Sequence, residues 1–180
     1  MIESSRGYHL LDKGEDQQRE GHPDAARRSV ADAISNFRYD CDLGGEATAL
    51  CRQARIARAC GDLAWAQHDQ QAAIALLRKA GDGTALARAL ADAGDLFLEV
   101  GELAHAAASL NEAFELYEIA RPAPLSDIAD AVRTVARLAE AMGEPEQARR
   151  MWVDARDRLA AGDAPDARIA EAEARIAALG

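Results

Sequence analysis

The residues best equipped for chemistry in this chain do not converge. Glu102 and His105 form one Glu-x-x-His, a spacing by which a helix offers two ligands to a di-iron centre. Such a centre needs a second copy of the motif and two more carboxylates facing one interior, and no second copy occurs. A surface or groove-edge place is expected for His105. His9, His22 and His68 fall at no recurrent ligand spacing, and His22 and His68 are expected in turns between helices. Asp127 and Asp130 lack the aspartate cluster that a helical prenyl-diphosphate enzyme needs for magnesium. Gly81-Asp82-Gly83-Thr84 follows no strand, so it reads as a turn and helix cap rather than a phosphate loop. No Ser/His/Asp grouping has a recognisable context. The cysteines are Cys41, Cys51 and Cys60, an odd count without paired spacing, as for free thiols in a reducing compartment. Cys41 is expected in a loop and Cys60 in the core. Cys51 and Cys60 fall on opposite faces of one expected helix at roughly 100° per residue. These residues predict no catalytic group, no metal site and no cofactor.

Charge is more informative. The formal net charge is −10 over 180 residues. That opposes general binding to nucleic acid or to an anionic membrane, both of which need a basic footprint. Apart from Lys13 and Lys79, every basic residue is arginine. Genome composition explains much of that, and guanidinium forks for carboxylates are the functional alternative. No apolar run approaches the ~20 residues of a membrane span. The first residues carry no apolar signal core, so a cytoplasmic protein is expected.

Helices must position these charges. Nearly half the residues count as apolar, yet 43 of them are alanine and only eight of all residues are aromatic. Alanine is the best helix former, and its size requires a core built by close approach. A spacing of 12, 4 and 3 recurs along the chain. It links Gly61, Ala73, Leu77 and Ala80, and Gly94, Ala106, Leu110 and Ala113, 33 residues later. It returns at Ala136, Ala148, Trp152 and Ala155, and more faintly at Gly14, Ala26, Val30 and Ala33. A repeat of this length is one supersecondary unit stacked on copies of itself. Helix hairpins are expected at about residues 4–39, 46–80, 84–119 and 126–160 of one repeat domain. In the second, the first helix spans about 47–67 and His68-Asp69 make the turn. Thr84 and Ser126 are expected N-caps. Gly101 and Gly143-Glu144-Pro145 break the chain between helices. Pro-rich residues 121–125 account for the longer spacing before Ala136. After residues 161–165, Ile169, Ala172, Ile176 and Leu179 put one face of a capping helix, about 166–179, against the fourth hairpin. The total is nine helices.

This pattern resembles the tetratricopeptide repeat. Leu90, Gly94, Phe97, Gly101, Ala106, Leu110 and Ala113 carry the resemblance best. Gly61, Ala73, Leu77 and Ala80 match in the second copy, and Val132, Ala136, Ala139, Gly143, Ala148 and Ala155 in the fourth, with Trp152 at its large second-helix position. Gln17 replaces an aromatic residue in the first copy, and the proline that closes each unit in the family is missing. The resemblance implies an all-α, right-handed superhelical array of hairpins, the tetratricopeptide-like α-solenoid. First helices line a concave groove that takes a peptide or helix of another protein.

If Leu90, Gly94 and Phe97 face the partner helix, Arg88, Asp92, Asp95 and Glu99 face the groove. Arg55, Arg58, Asp62 and Trp65 join them from the second copy, Arg133, Arg137 and Glu140 from the fourth, and Tyr8, Leu11, Glu15 and Arg19 from the first. Arg58, Ala91 and Arg133 occupy equivalent places in this register. Arginine forks grip carboxylates at two points, and Trp65 is an apolar anchor. The competing reading is a solvated face of weak intrahelical pairs, Arg58 with Asp62 and Arg88 with Asp92. Asp62, Asp92 and Asp130 would repel the carboxylate that chaperone-binding members clamp, so that ligand does not carry over. The expected function is non-catalytic protein–protein interaction as a module or adaptor. The alternatives are a self-assembling scaffold, with a possible homo-oligomer, and then a small-molecule sensor.

Overall fold

The computed structural model describes residues 3–120, 123–162 and 165–180. Arg121 and Pro122 of the expected Pro-rich loop, and Asp163 and Ala164 of the loop before the cap, lie outside the described residues. Among the described residues the chain forms nine helices and no strand. They are α1 (Glu3–Arg19), α2 (Pro23–Tyr39), α3 (Leu43–Ala59), α4 (Leu63–Ala80), α5 (Gly83–Glu99), α6 (Leu103–Ile119), α7 (Leu125–Ala141), α8 (Pro145–Ala161) and α9 (Asp166–Ala178). The all-α class and the helix hairpins agree with the expectation: α1 packs with α2, α3 with α4, α5 with α6 and α7 with α8.

The turns set the period. Gly21, Gly61, Gly101 and Gly143 have φ of 82°, 80°, 82° and 75°, a left-handed conformation that glycine adopts without steric penalty. Each closes its helix with the same two bonds. At the second turn, Gly61 N donates to Arg58 O and Asp62 N to Ala57 O, both at 2.9 Å. The residue after glycine then opens the next helix. The Asp62 side chain accepts from Trp65 N at 3.2 Å and caps α4.

These turn glycines stand 40, 40 and 42 positions apart, which corrects the 33-residue register. Gly61-Asp62-Leu63 is a turn, and its structural counterpart is Gly101-Glu102-Leu103. Gly94-Asp95-Leu96 lies inside α5. The match between the two tripeptides is therefore false. It is sustained by alanines that recur every turn or two of helix. In the second hairpin the 12-4-3 spacing falls on Ala54, Ala66, Gln70 and Ala73, all buried. The other copies keep the expected positions. As a consequence α3 ends at Ala59 rather than near 67, and His68 and Asp69 lie within α4. Helix α5 begins at Gly83, so Thr84 is inside it, and Pro124 rather than Ser126 stands at the N-cap of α7.

The chain divides into two compact units, residues 1–82 and 83–180. In the first, α2 packs on α3 and α1 also touches α3. Leu11, Val30, Phe37, Ile56 and Leu77 supply its bulk between alanine seams. In the second, α5 and α6 both pack on α7, and α9 packs on α8. Leu90, Leu110, Tyr117, Trp152 and Leu159 are among its large buried side chains. A Cβ on Gly94 would lie 2.8 Å from Leu110 Cγ, so the approach of α5 to α6 requires glycine there.

Candidate functional site

In the corrected register, one position of each first helix carries Glu15, Arg55, Asp95 and Arg137 in turn. The sign alternates from hairpin to hairpin. Within each unit, charges on these faces join neighbouring first helices. In the first unit Arg52 of α3 bonds Glu15 of α1. That hydrogen bond holds the Glu15 carboxyl below its usual range, against the opposing effect of partial burial.

In the second unit, Arg88 of α5 donates Nε and Nη2 to Asp127 Oδ2 of α7, at 2.9 and 2.7 Å. The bond to Asp127 raises the guanidinium pKa further. Arg137 of α7 bonds Asp95 of α5. Between α7 and α9, Arg133 Nη1 meets Glu171 Oε2 at 2.9 Å, Arg168 meets Asp130, and Arg175 meets Glu140. The structure thus ties Arg88, Asp95, Arg133 and Arg137 into links between helices, and Asp92 adds the attraction expected for Arg88 along α5.

Arg55 and Arg58 lie on α3, the first exposed and the second half-buried. Arg55, Arg52, Glu15 and Gln18 line a recess of about 50 Å³ between α1, α2 and α3, together with Gly14, Val30 and Ile56. Asp92 is half-buried on α5 and Glu99 is exposed at its end.

Other expected groove residues fall elsewhere. Asp62 and Trp65 are not on a first helix: Asp62 caps α4 and Trp65 sits in its first turn. Trp65 is 51% exposed, with Arg27 Cζ 6.0 Å from the ring centre and Arg27 Nη2 3.8 Å from Asp62 Oδ2. The sequence register that moved the turn to residue 68 moved both residues to the wrong helix. The expected equivalence of Arg58, Ala91 and Arg133 fails for the same reason; Cys51 is the counterpart of Ala91 and Arg133. Leu11 is a core residue, 1% exposed. Tyr8 packs edge-on against Phe37, ring centres 4.9 Å apart, and Arg19 pairs with Asp16 at 3.0 Å. Cys60 is exposed at the end of α3, contrary to its expected core place, while Trp152 is fully buried as expected. Arg52, Arg27 and Arg175 were not singled out by sequence. A 40-residue alignment would have exposed Arg52 as the counterpart of Asp12 and Asp92.

His105 lies on the surface, its Nδ1 3.0 Å from Glu102 Oε2. Among the described residues, no group of three or more His, Cys, Asp or Glu side chains is placed to hold a metal ion. No described helix is long and apolar enough to cross a membrane.

Paired antiparallel helices, left-handed glycine turns and recurrent alanine seams define a helical-hairpin repeat protein. The fold is tetratricopeptide-like. The chain is similar to a kinesin light chain with nearly identical TPR-like repeats from Podosopora anserina: 13% identity, a TM-score of 0.73, and coverage of 99% of this chain and 87% of that one. It is also similar to BtubC (BKLC) from P. vanneervenii, at 12% identity and a TM-score of 0.79, covering 99% and 82%. No family model matches the sequence. No curated protein matches it either.

Proposed function

We propose that the chain acts as one non-catalytic repeat domain that binds a peptide or helix of another protein on its first-helix faces. The carrying observation is the arginine-lined recess of the first unit, where exposed Arg55 stands beside Arg52, Glu15 and Gln18. Arg58 follows Arg55 by three residues on α3 and extends that face. A partner carboxylate would be taken by a guanidinium fork, with small apolar contacts from the recess. In the second unit, Arg88 and Arg137 join α5 to α7, and Arg133 joins α7 to α9. Trp65 and Arg27 belong to a different face and are left out of this contact.

A displayed random-peptide library tests the reading. Peptides with Asp or Glu at a fixed position should be enriched. Their affinity should fall about tenfold in Arg55→Ala/Arg58→Ala, the order of one charge-assisted bond, and should weaken with added salt. Enriched peptides that bind the double variant unchanged would refute it.

A further inference from the structure

The surface that α9 covers carries an inference independent of the peptide-binding reading. Ala172 is the only buried residue of α9 among those described, whereas α8 buries Ala148, Trp152, Ala155 and Leu159. Ala172 rests on Ala136 and Trp152, with Ile176 and Leu179 half-buried beside them. Ionic contacts add to this apolar patch. Arg168, Glu171 and Arg175 of α9 meet Asp130, Arg133 and Glu140 of α7, giving a plus–minus–plus row against its complement. The fit is incomplete, since Arg133 Nε is buried without an acceptor. Glu140 also accepts the indole N–H of Trp152, so the cap and the largest core residue share one carboxylate. Residues 162–165, with Gly162 at one end and Pro165 at the other, separate α8 from α9.

We infer that the α7–α8 face accepts α9 in trans from a second copy of this chain. A second copy presents the same charge row and the same apolar triplet. Exchange therefore replaces each contact by its equal, the condition under which identical elements swap between protomers. The small apolar footprint keeps the cost of opening α9 low.

Two complementary charge reversals test this. One variant carries Arg168→Glu and Glu171→Arg, the other Asp130→Arg and Arg133→Glu. Each mismatches its own α9 and leaves Glu140 and Trp152 untouched. In the mixture, reciprocal exchange restores every match. Light scattering should then show a heterodimer at twice the 19.2 kDa chain mass, while each variant alone stays predominantly monomeric. The four changes combined in one chain should return the wild-type mass distribution. A mixture of folded variants that stays monomeric overturns the inference. Amide exchange on the wild-type chain decides the matter if either variant fails to fold. The α9 amides should exchange ahead of those of α7, and faster in high salt; α9 exchange only through global unfolding overturns the inference.

Discussion

The Phe37 ring of α2 lies between two glycines. A Cβ on Gly7 of α1 would come within 2.6 Å of the ring, and one on Gly45 of α3 would overlap it and crowd Asp42. At the equivalent second-helix positions the residues are Leu77, Tyr117 and Leu159, and the counterparts of Gly7 are alanines. Ring size and missing side chains therefore match locally. Gly45→Ala should destabilise by about 1–3 kcal/mol, the usual cost of overpacking. Adding Phe37→Leu should return part of that loss, because the overlap is with ring atoms. Urea denaturation of the two single variants and the double variant measures the coupling, and strict additivity would show that the ring is not the obstacle. Cys41 illustrates a different constraint. It holds φ of 55° in the turn between α2 and α3, where the other helix-to-helix turns of this geometry use glycine. Cys41→Gly should stabilise by about 1 kcal/mol, raising Tm by roughly 2–4 °C in reductant. An unchanged Tm would mean that the left-handed turn carries no strain.

Between elements, charge pairs link neighbouring first helices within each unit. The Glu15–Arg52 link is the testable case, because the bond lowers the Glu15 pKa. A carboxyl whose folded pKa is depressed adds stability above its unfolded value, ordinarily near ~4.3, and loses that contribution as pH falls through the folded value. Arg52→Gln should therefore lower stability modestly at neutral pH, by about 0.5 kcal/mol for so exposed a pair. Wild type and variant should converge in acid. Thermal melts from pH 7 down to pH 3 check this, and a gap that widens in acid would contradict the assigned sign. The helices were legible in sequence through alanine content and glycine breaks. The register of the second hairpin was not. Gly61-Asp62-Leu63 and Gly94-Asp95-Leu96 are identical as letters, but one is a left-handed turn and the other is helix, a distinction made by backbone conformation.

The molecule comprises two compact units divided after Asp82, just beyond the left-handed Gly81 that ends α4. Each holds its own packed hairpins and its own large buried side chains. Fragments 1–82 and 83–180 should each give a helical circular dichroism spectrum and a cooperative melt. A fragment that stays unfolded would show that its core depends on the rest of the chain. At this scale the all-helical class, the hairpin pattern, the burial of Trp152 and the apolar face of α9 follow from the sequence alone. Each depends on local helix propensity or on spacing within a single helix, and both are written in neighbouring residues. Tertiary structure decided the 40-residue register, the removal of Asp62 and Trp65 from the first-helix face, and the pairing of Arg88 with Asp127 and Arg137 with Asp95. The physical reason is that an arginine fork serves a carboxylate of its own chain as readily as one of a partner. Sequence supplies both groups, and only the packing of one helix on the next brings them together.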